Sequence, residues 1–376
     1  MLASEPIRRP YGAVTKACQA ARHRPIVSAS VRLGLNLGYG ARSDVSNLAL
    51  AREADSLGYS VVWVAEAYGS DAATVLAWIA AQTSSIDVGS AVLQIPARTP
   101  AATAMTAATL DMLSGGRFRL GLGVSGPQVS EGWHGVRFTS PIGRTREYLD
   151  IVRMALRREK VRYDGEHFQL PLPGGPGKAL TLTVHPVREH IPTYLAAIGP
   201  KNLELTGEIA DGWLPVFFSP DHADLQLDHL RAGAAKAGRT LADIDVAPSV
   251  PLVPGDDWTV CADSVRGYAA LYLGGMGSRD KNFYNRLAVR MGFADAAAEV
   301  QDRYLAKDYE GAMAAVPLEF LDATSLLGPP SRIAERMAAF AEAGVTTLTV
   351  LPFVPPEDAP AALRVALEAL DRAGVA

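Results

Sequence analysis

From Arg32 onward the chain alternates short apolar runs with amphipathic, alanine- and leucine-rich stretches, and this alternation restricts its fold more than any other feature. Parallel strands cannot be joined by tight turns, so strand–helix–strand repetition implies a parallel sheet with helical crossovers. Strands are expected at residues 32–37, 60–65, 87–93, 117–123, 194–198, 213–218, 244–253 and 346–351. Helices are expected at 44–58, 71–84, 100–114, 141–158, 201–211, 221–237, 331–343 and 360–373. Eight of each favour an α/β fold of the closed (β/α)8 TIM barrel type over an open doubly wound sheet. Residues 161–185, rich in Gly and Pro, read as a hairpin-bearing excursion after strand four, and 264–324 as a long, partly helical insertion after strand seven. Both are expected to wall a pocket.

A chain of 376 residues has room for two domains, but single α/β barrels reach this size, and residues 31–376 read as one. Residues 1–30 carry Arg8, Arg9, Lys16, Arg22 and Arg24 against Glu5 and lack the apolar block of a secretory signal; a mobile arm is expected, a docking arm being the sharper alternative. Charged residues are 20% of the chain and the formal net charge is -4, without a dense basic stripe, which argues against a nucleic-acid surface. No run approaches the length of a membrane span. Cys18 and Cys261 lack zinc or redox-pair spacing and suit a reducing cytoplasm. His185 and His190, in HPVREHIP, read as part of a surface turn rather than a metal site.

Active sites of such barrels lie at the C-terminal strand ends. That places Asn36, Glu66, Gln94, Ser125, Phe217 and Pro352 around one mouth. Two loops there suit a phosphate-bearing ligand. In RFRLGLGVSGPQVSEGWHG, residues 117–135, Leu120, Leu122 and Val124 alternate with Gly121, Gly123 and Ser125. The glycines are expected to let a ligand approach the backbone, and Ser125 and Gly126 to offer N–H groups and a hydroxyl. A tight turn after a buried strand is the plainer alternative. After YLAAI, Gly199 and Pro200 open a second helix, whose N-terminus attracts anions; they serve equally as a strand stop.

AEAYGSDA (65–72), VGSAVLQIPARTP (88–100), LGLGVSGPQVSEGWHG (120–135), REYLDIVRMALRRE (146–159), YLAAIGPKNLELTGEIADGWLP (194–215) and GVTTLTVLPF (344–353) together resemble the bacterial luciferase-like superfamily. The resemblance is to its branch of coenzyme F420-dependent (deazaflavin) oxidoreductases; other branches bind FMN. It implies a bulge with a non-prolyl cis peptide at Ala91–Val92 behind the deazaflavin ring and Gln94 at the pyrimidine edge. It further implies cofactor contacts from Val124, Ser125 and Gly126 and from Ala197, Ile198, Gly199 and Pro200, a small-molecule substrate, and a homodimer or higher homo-oligomer. The histidine, tryptophan and glutamate of the family's sugar-phosphate dehydrogenases are replaced by Ala67, Asp71 and Gly126 or Pro127, so glucose 6-phosphate oxidation is not expected.

Candidates to move a proton are Glu66, Glu131 and His134, although a strand-end carboxylate is often only a cap or ion-pair partner, and a loop histidine is often surface. Arg98 is expected to bond carbonyls near the third loop. Tyr39, Tyr68, Trp133, Phe217 and Phe218 would furnish an aromatic pocket or core packing. The expected reaction is hydride transfer to C=C or C=N, or from a secondary alcohol. An FMN-dependent monooxygenase and a catalytically silent deazaflavin-binding protein are the alternatives.

Overall fold

The computed structural model describes residues 30–38 and 44–376. The arm expected at 1–30, apart from Ser30, and Tyr39 lie outside the described residues. The strands are β1 (Arg32–Asn36), β2 (Val61–Val64), β3 (Asp87–Ser90), β4 (Leu93–Gln94), β5 (Phe118–Gly123), β6 (Tyr163–Asp164), β7 (Gln169–Leu170), β8 (Thr193–Leu195), β9 (Gly212–Trp213), β10 (Asp245–Val246), β11 (Ser249–Pro254), β12 (Leu326–Gly328) and β13 (Thr347–Pro352). Strands β6 and β7 form the antiparallel hairpin expected in the first excursion. The other eleven make one parallel sheet in the order β10-β9-β8-β5-β3-β2-β1-β13-β11-β12, with β4 on β5.

Every residue of β2 and of β5 is buried, as parallel strands covered on both faces must be. The largest core packs the outer face of the sheet against the helices. On the inner face Trp63, Tyr194, Leu214 and Ala247 cluster, with Trp63 edge-on to Tyr194 at 5.0 Å. A further core, built around Phe217, Leu273, Phe320 and Leu321, joins the second insertion to the strand ends.

The sheet curls strongly, but the closed eight-stranded barrel expected from the count is not completed as a continuous ladder. The sixth expected strand stops at Trp213, before Pro215, and the seventh is split into β10 and β11 by Ala247 and Pro248. Proline has no N–H to give a ladder. Across this seam Ala247 N donates to Trp213 O (2.9 Å) and Ser249 N to Pro215 O (3.0 Å), with an isolated bridge between Val216 and Ser249. The short strand β12, absent from the expected set, pairs with β11.

At the N-terminal ends of the strands, buried Asp245 accepts from Tyr194 Oη (2.8 Å), Thr346 Oγ1 (2.6 Å) and Thr347 Oγ1 (2.8 Å) and pairs with Arg32 (3.1 Å) and Arg119 (3.4 Å). Arg119 also reaches Asp87 at 2.8 Å. The segment containing His185 and His190 is held by ion pairs, with Arg188 on buried Asp111 (2.6 Å) and His190 on Asp211 (2.9 Å). No helix among the described residues is long and apolar enough to cross a membrane.

Candidate active site

Strand β3 ends at Ser90 because the chain bulges before resuming as β4. The Ser90 hydroxyl takes over the ladder at this point: it donates to Gly121 O and accepts from Gly121 N, both at 2.9 Å. The Ala91–Val92 peptide inside the bulge is cis. A Cβ on Gly121 would lie 1.8 Å from Ser90 O, and one on Gly123 would lie 2.5 Å from Val92 Cγ2. Both glycines therefore admit the bulge; Gly121 lies away from the cavity and serves the bulge alone, correcting the expectation there, whereas Gly123 also lines the cavity described next.

The C-terminal strand ends surround a cavity of about 1160 Å³. The bulge lines it with Ala91, Val92 and Gln94; the loop after β5 contributes Val124, Ser125 and Gly126; the loop after β8 contributes Ala197, Ile198, Gly199 and Pro200. Residues up to 109 positions apart in these three loops, from Ala91 to Pro200, thus meet in one space, and the whole lining spans 317 positions from Asn36 to Phe353.

Ser125 adopts a left-handed conformation (φ 57°), and its hydroxyl accepts from Gln94 Nε2 at 2.8 Å. Gln94 Oε1 in turn lies 2.8 Å from His134 Nε2. His134 is not part of the lining and meets the cavity only through Gln94. Glu131 is not part of it either: its carboxylate accepts from Phe138 N (3.0 Å) and faces Arg137 at 3.8 Å, holding the loop that follows the helix Pro127–Gly132. Gly199 precedes the helix Pro200–Ile209 and provides no side-chain cap; Pro200 has no N–H and Asn202 N donates to Gly199 O (3.0 Å), so the backbone donor left for an anion at this helix start is that of Lys201. Next to it the buried Asn202 Oδ1 has no hydrogen-bond partner among the described residues.

Glu66 does line the cavity, but both its oxygens are engaged. Arg98 donates to Oε2 (2.5 Å) and Oε1 (2.9 Å), and the backbone N–H groups of Gln94 and Ala72 donate at 3.3 Å. Arg98 also binds Asp71 at 2.5 Å, so it bonds carboxylates rather than the carbonyls expected. Burial works to raise the Asp71 pKa, but hydrogen bonds from Thr74 and the charge of Arg98 outweigh it and hold the carboxyl below its ordinary value.

The aromatic expectations divide. Tyr68 lines the cavity. Trp133 lies outside it and is 66% exposed, and Phe218 is core, packed against Trp213 and Phe340. Phe217, with φ 55°, is buried behind the wall as the hub of Tyr268, Tyr272, Tyr284 and Phe320. The wall itself, Tyr268, Tyr272, Phe283, Tyr284 and Phe353, was missed, although the i, i+4 spacing of Tyr268 and Tyr272 was a readable helical signal. The excursion at 161–185 supplies no lining residue, because its hairpin packs elsewhere.

A parallel α/β sheet with a bulged strand and a cavity of this size at its strand ends defines the class, an oxidoreductase of luciferase-like architecture. Residues 26–347 match the family described as luciferase-like monooxygenase, and the chain belongs to that family, within its coenzyme F420-dependent oxidoreductase branch. It is 43% identical over 332 residues to a Mycobacterium tuberculosis protein provisionally named a coenzyme F420-dependent oxidoreductase, covering 86% of this chain and 96% of that one. It is 28% identical to the 5,10-methylenetetrahydromethanopterin reductase of Archaeoglobus fulgidus, over 78% of this chain and 85% of that one. Among solved structures, the coenzyme F420-dependent tetrahydromethanopterin reductase of Methanopyrus kandleri shares the fold with a TM-score of 0.77 at 24% identity, covering 90% of this chain and 97% of that one.

Proposed function

We propose that the protein transfers a hydride between coenzyme F420 and a small organic substrate, reducing C=C or C=N or oxidising a secondary alcohol. The observation that carries this reading is the convergence of the bulge, the Ser125 loop and the Pro200 helix start on one cavity, in a chain 43% identical to a relative named for that cofactor. When bound, a deazaflavin gives or takes two electrons and a proton together as a hydride.

The chain's own part is binding and orientation. Ala91 and Val92 would lie behind a bound ring, Gln94 and Ser125 would meet its polar edge, and the helix start after Gly199 would receive its phosphate. In a reduction the hydride forms a new C–H bond as the π bond breaks, and a proton joins the other atom. Both Glu66 oxygens are bound by Arg98, and neither Glu131 nor His134 lines the cavity, so these three are assigned positioning roles and the balancing proton is assigned to solvent.

Titration of the purified protein with F420 and, separately, FMN, each oxidised and reduced and followed by fluorescence, tests the reading. Preference for F420 is expected. Preference for FMN would overturn it and direct work to oxygen consumption, whereas tight F420 binding without turnover of any enone, imine or alcohol would favour a storage protein.

A further inference from the structure

The cavity is slightly larger than pockets that hold one drug-sized ligand. Single-ligand pockets run from roughly 300 to 1,000 Å³, against about 1160 Å³ here. The loops assigned to the cofactor occupy one part of its lining, and the second insertion supplies another. Tyr268 and Tyr272 have ring centroids 4.6 Å apart, Tyr272 and Tyr284 4.7 Å, and Tyr268 and Phe353 5.2 Å, so they form a continuous aromatic surface. Phe217 backs it, 5.4 Å from Tyr268 and 5.5 Å from Tyr272. Among the described lining residues the charged ones are Glu66, paired with Arg98, and Lys201, beside the helix start assigned to phosphate.

We propose that the substrate is an uncharged molecule bearing a flat ring or extended π system, held on the wall formed by Tyr268, Tyr272, Tyr284 and Phe353, and that this wall sets specificity. The proposal rests on the hydride-transfer reading for the location of the cofactor. Rings offer edge-to-face and offset contacts to another π surface. An anion placed there would lose hydration with no described cation on the wall to replace it.

The test is calorimetric titration of the F420-loaded protein with three probes: 2-acetylnaphthalene (neutral, aromatic), 2-naphthoate (anionic, aromatic) and 2-butanone (neutral, small). Acetylnaphthalene is expected to bind at least roughly tenfold more tightly than either of the others. Tyr272→Leu, which keeps bulk without the ring, is expected to remove most of that preference, and Tyr272→Phe to restore it. Equal or tighter binding of naphthoate, or an unchanged preference in Tyr272→Leu, overturns the proposal. Failure to bind F420, with the preference for acetylnaphthalene retained when the same probes are titrated into the unloaded protein, overturns the cofactor reading alone, while normal F420 binding without that preference overturns the wall alone.

Discussion

A carboxylate that accepts several N–H groups at once is held in its charged form, and Asp55 is such a residue. It accepts from the backbone of Ser84 (2.8 Å), Ser85 (3.0 Å) and Ile86 (2.7 Å) and from the Ser85 hydroxyl (2.6 Å), fixing the turn that leads into β3. Burial acts to raise its pKa, but these hydrogen bonds outweigh it and hold the carboxyl far below the ordinary range. A depressed folded-state pKa contributes stability above the unfolded value, near 4, which is lost as pH falls toward the folded one. Urea denaturation of the native protein and Asp55→Asn is therefore expected to show a stability gap at pH 7 that narrows at pH 3; a gap independent of pH would refute this. Single residues were legible unevenly. Gln94 and Ser125 were placed at the mouth from sequence, whereas the partner of Glu66, Arg98, lies 32 positions away and leaves no local trace.

At the scale of elements, the aromatic wall depends on one side chain. The helix Trp258–Ala270 passes into a π-helical turn at Leu271–Gly275, and buried Asn282 serves both that turn and the next helix. Its Nδ2 donates to Tyr272 O (2.8 Å) and Leu273 O (2.9 Å), and its Oδ1 accepts from Tyr284 N and Asn285 N, both at 3.0 Å. Asn282→Ala removes a cap and the side-chain donor to Tyr272 O, while Leu273 O keeps a bond from Asn285 Nδ2 (3.1 Å), at an expected cost of about 1–3 kcal/mol. Hydrogen exchange over residues 271–290 should rise with it, and Asn282→Asp, which keeps the cap but loses both donors, should fall between. Unaltered exchange in Asn282→Ala would show that the turn does not need this residue. A helical insertion is legible here in the sequence, but not which face its tyrosines present, since an aromatic residue has the same local signature in a core as in a cavity wall.

Across the whole molecule, binding and stability occupy opposite ends of the sheet. The cavity lies at the C-terminal strand ends, while Asp245 at the N-terminal ends ties β10 to β1, β5, β8 and β13. Burial acts to raise its pKa, but Arg32 and Arg119 with the two threonines hold it below the ordinary value. Asp245→Asn leaves Arg119 buried with Asp87 as its remaining carboxylate, and breaking such a network is expected to cost about 3–5 kcal/mol. Denaturation should register that loss while F420 affinity of the folded protein stays unchanged; a stability within error of the native protein would refute the assignment. By itself the sequence determined the parallel α/β class and the strand ends that carry loops, because periodicity, glycine and proline act on neighbouring residues, whereas the place of the bulge followed from the resemblance to the luciferase-like superfamily. Only the tertiary structure decided that the ladder breaks at Pro215 and Pro248, that Arg98 occupies Glu66, and that tyrosines of the insertion line the cavity. Those outcomes depend on contacts between residues far apart, such as Arg32 with Thr347 at a separation of 315, which exist only once strand register and packing have been fixed.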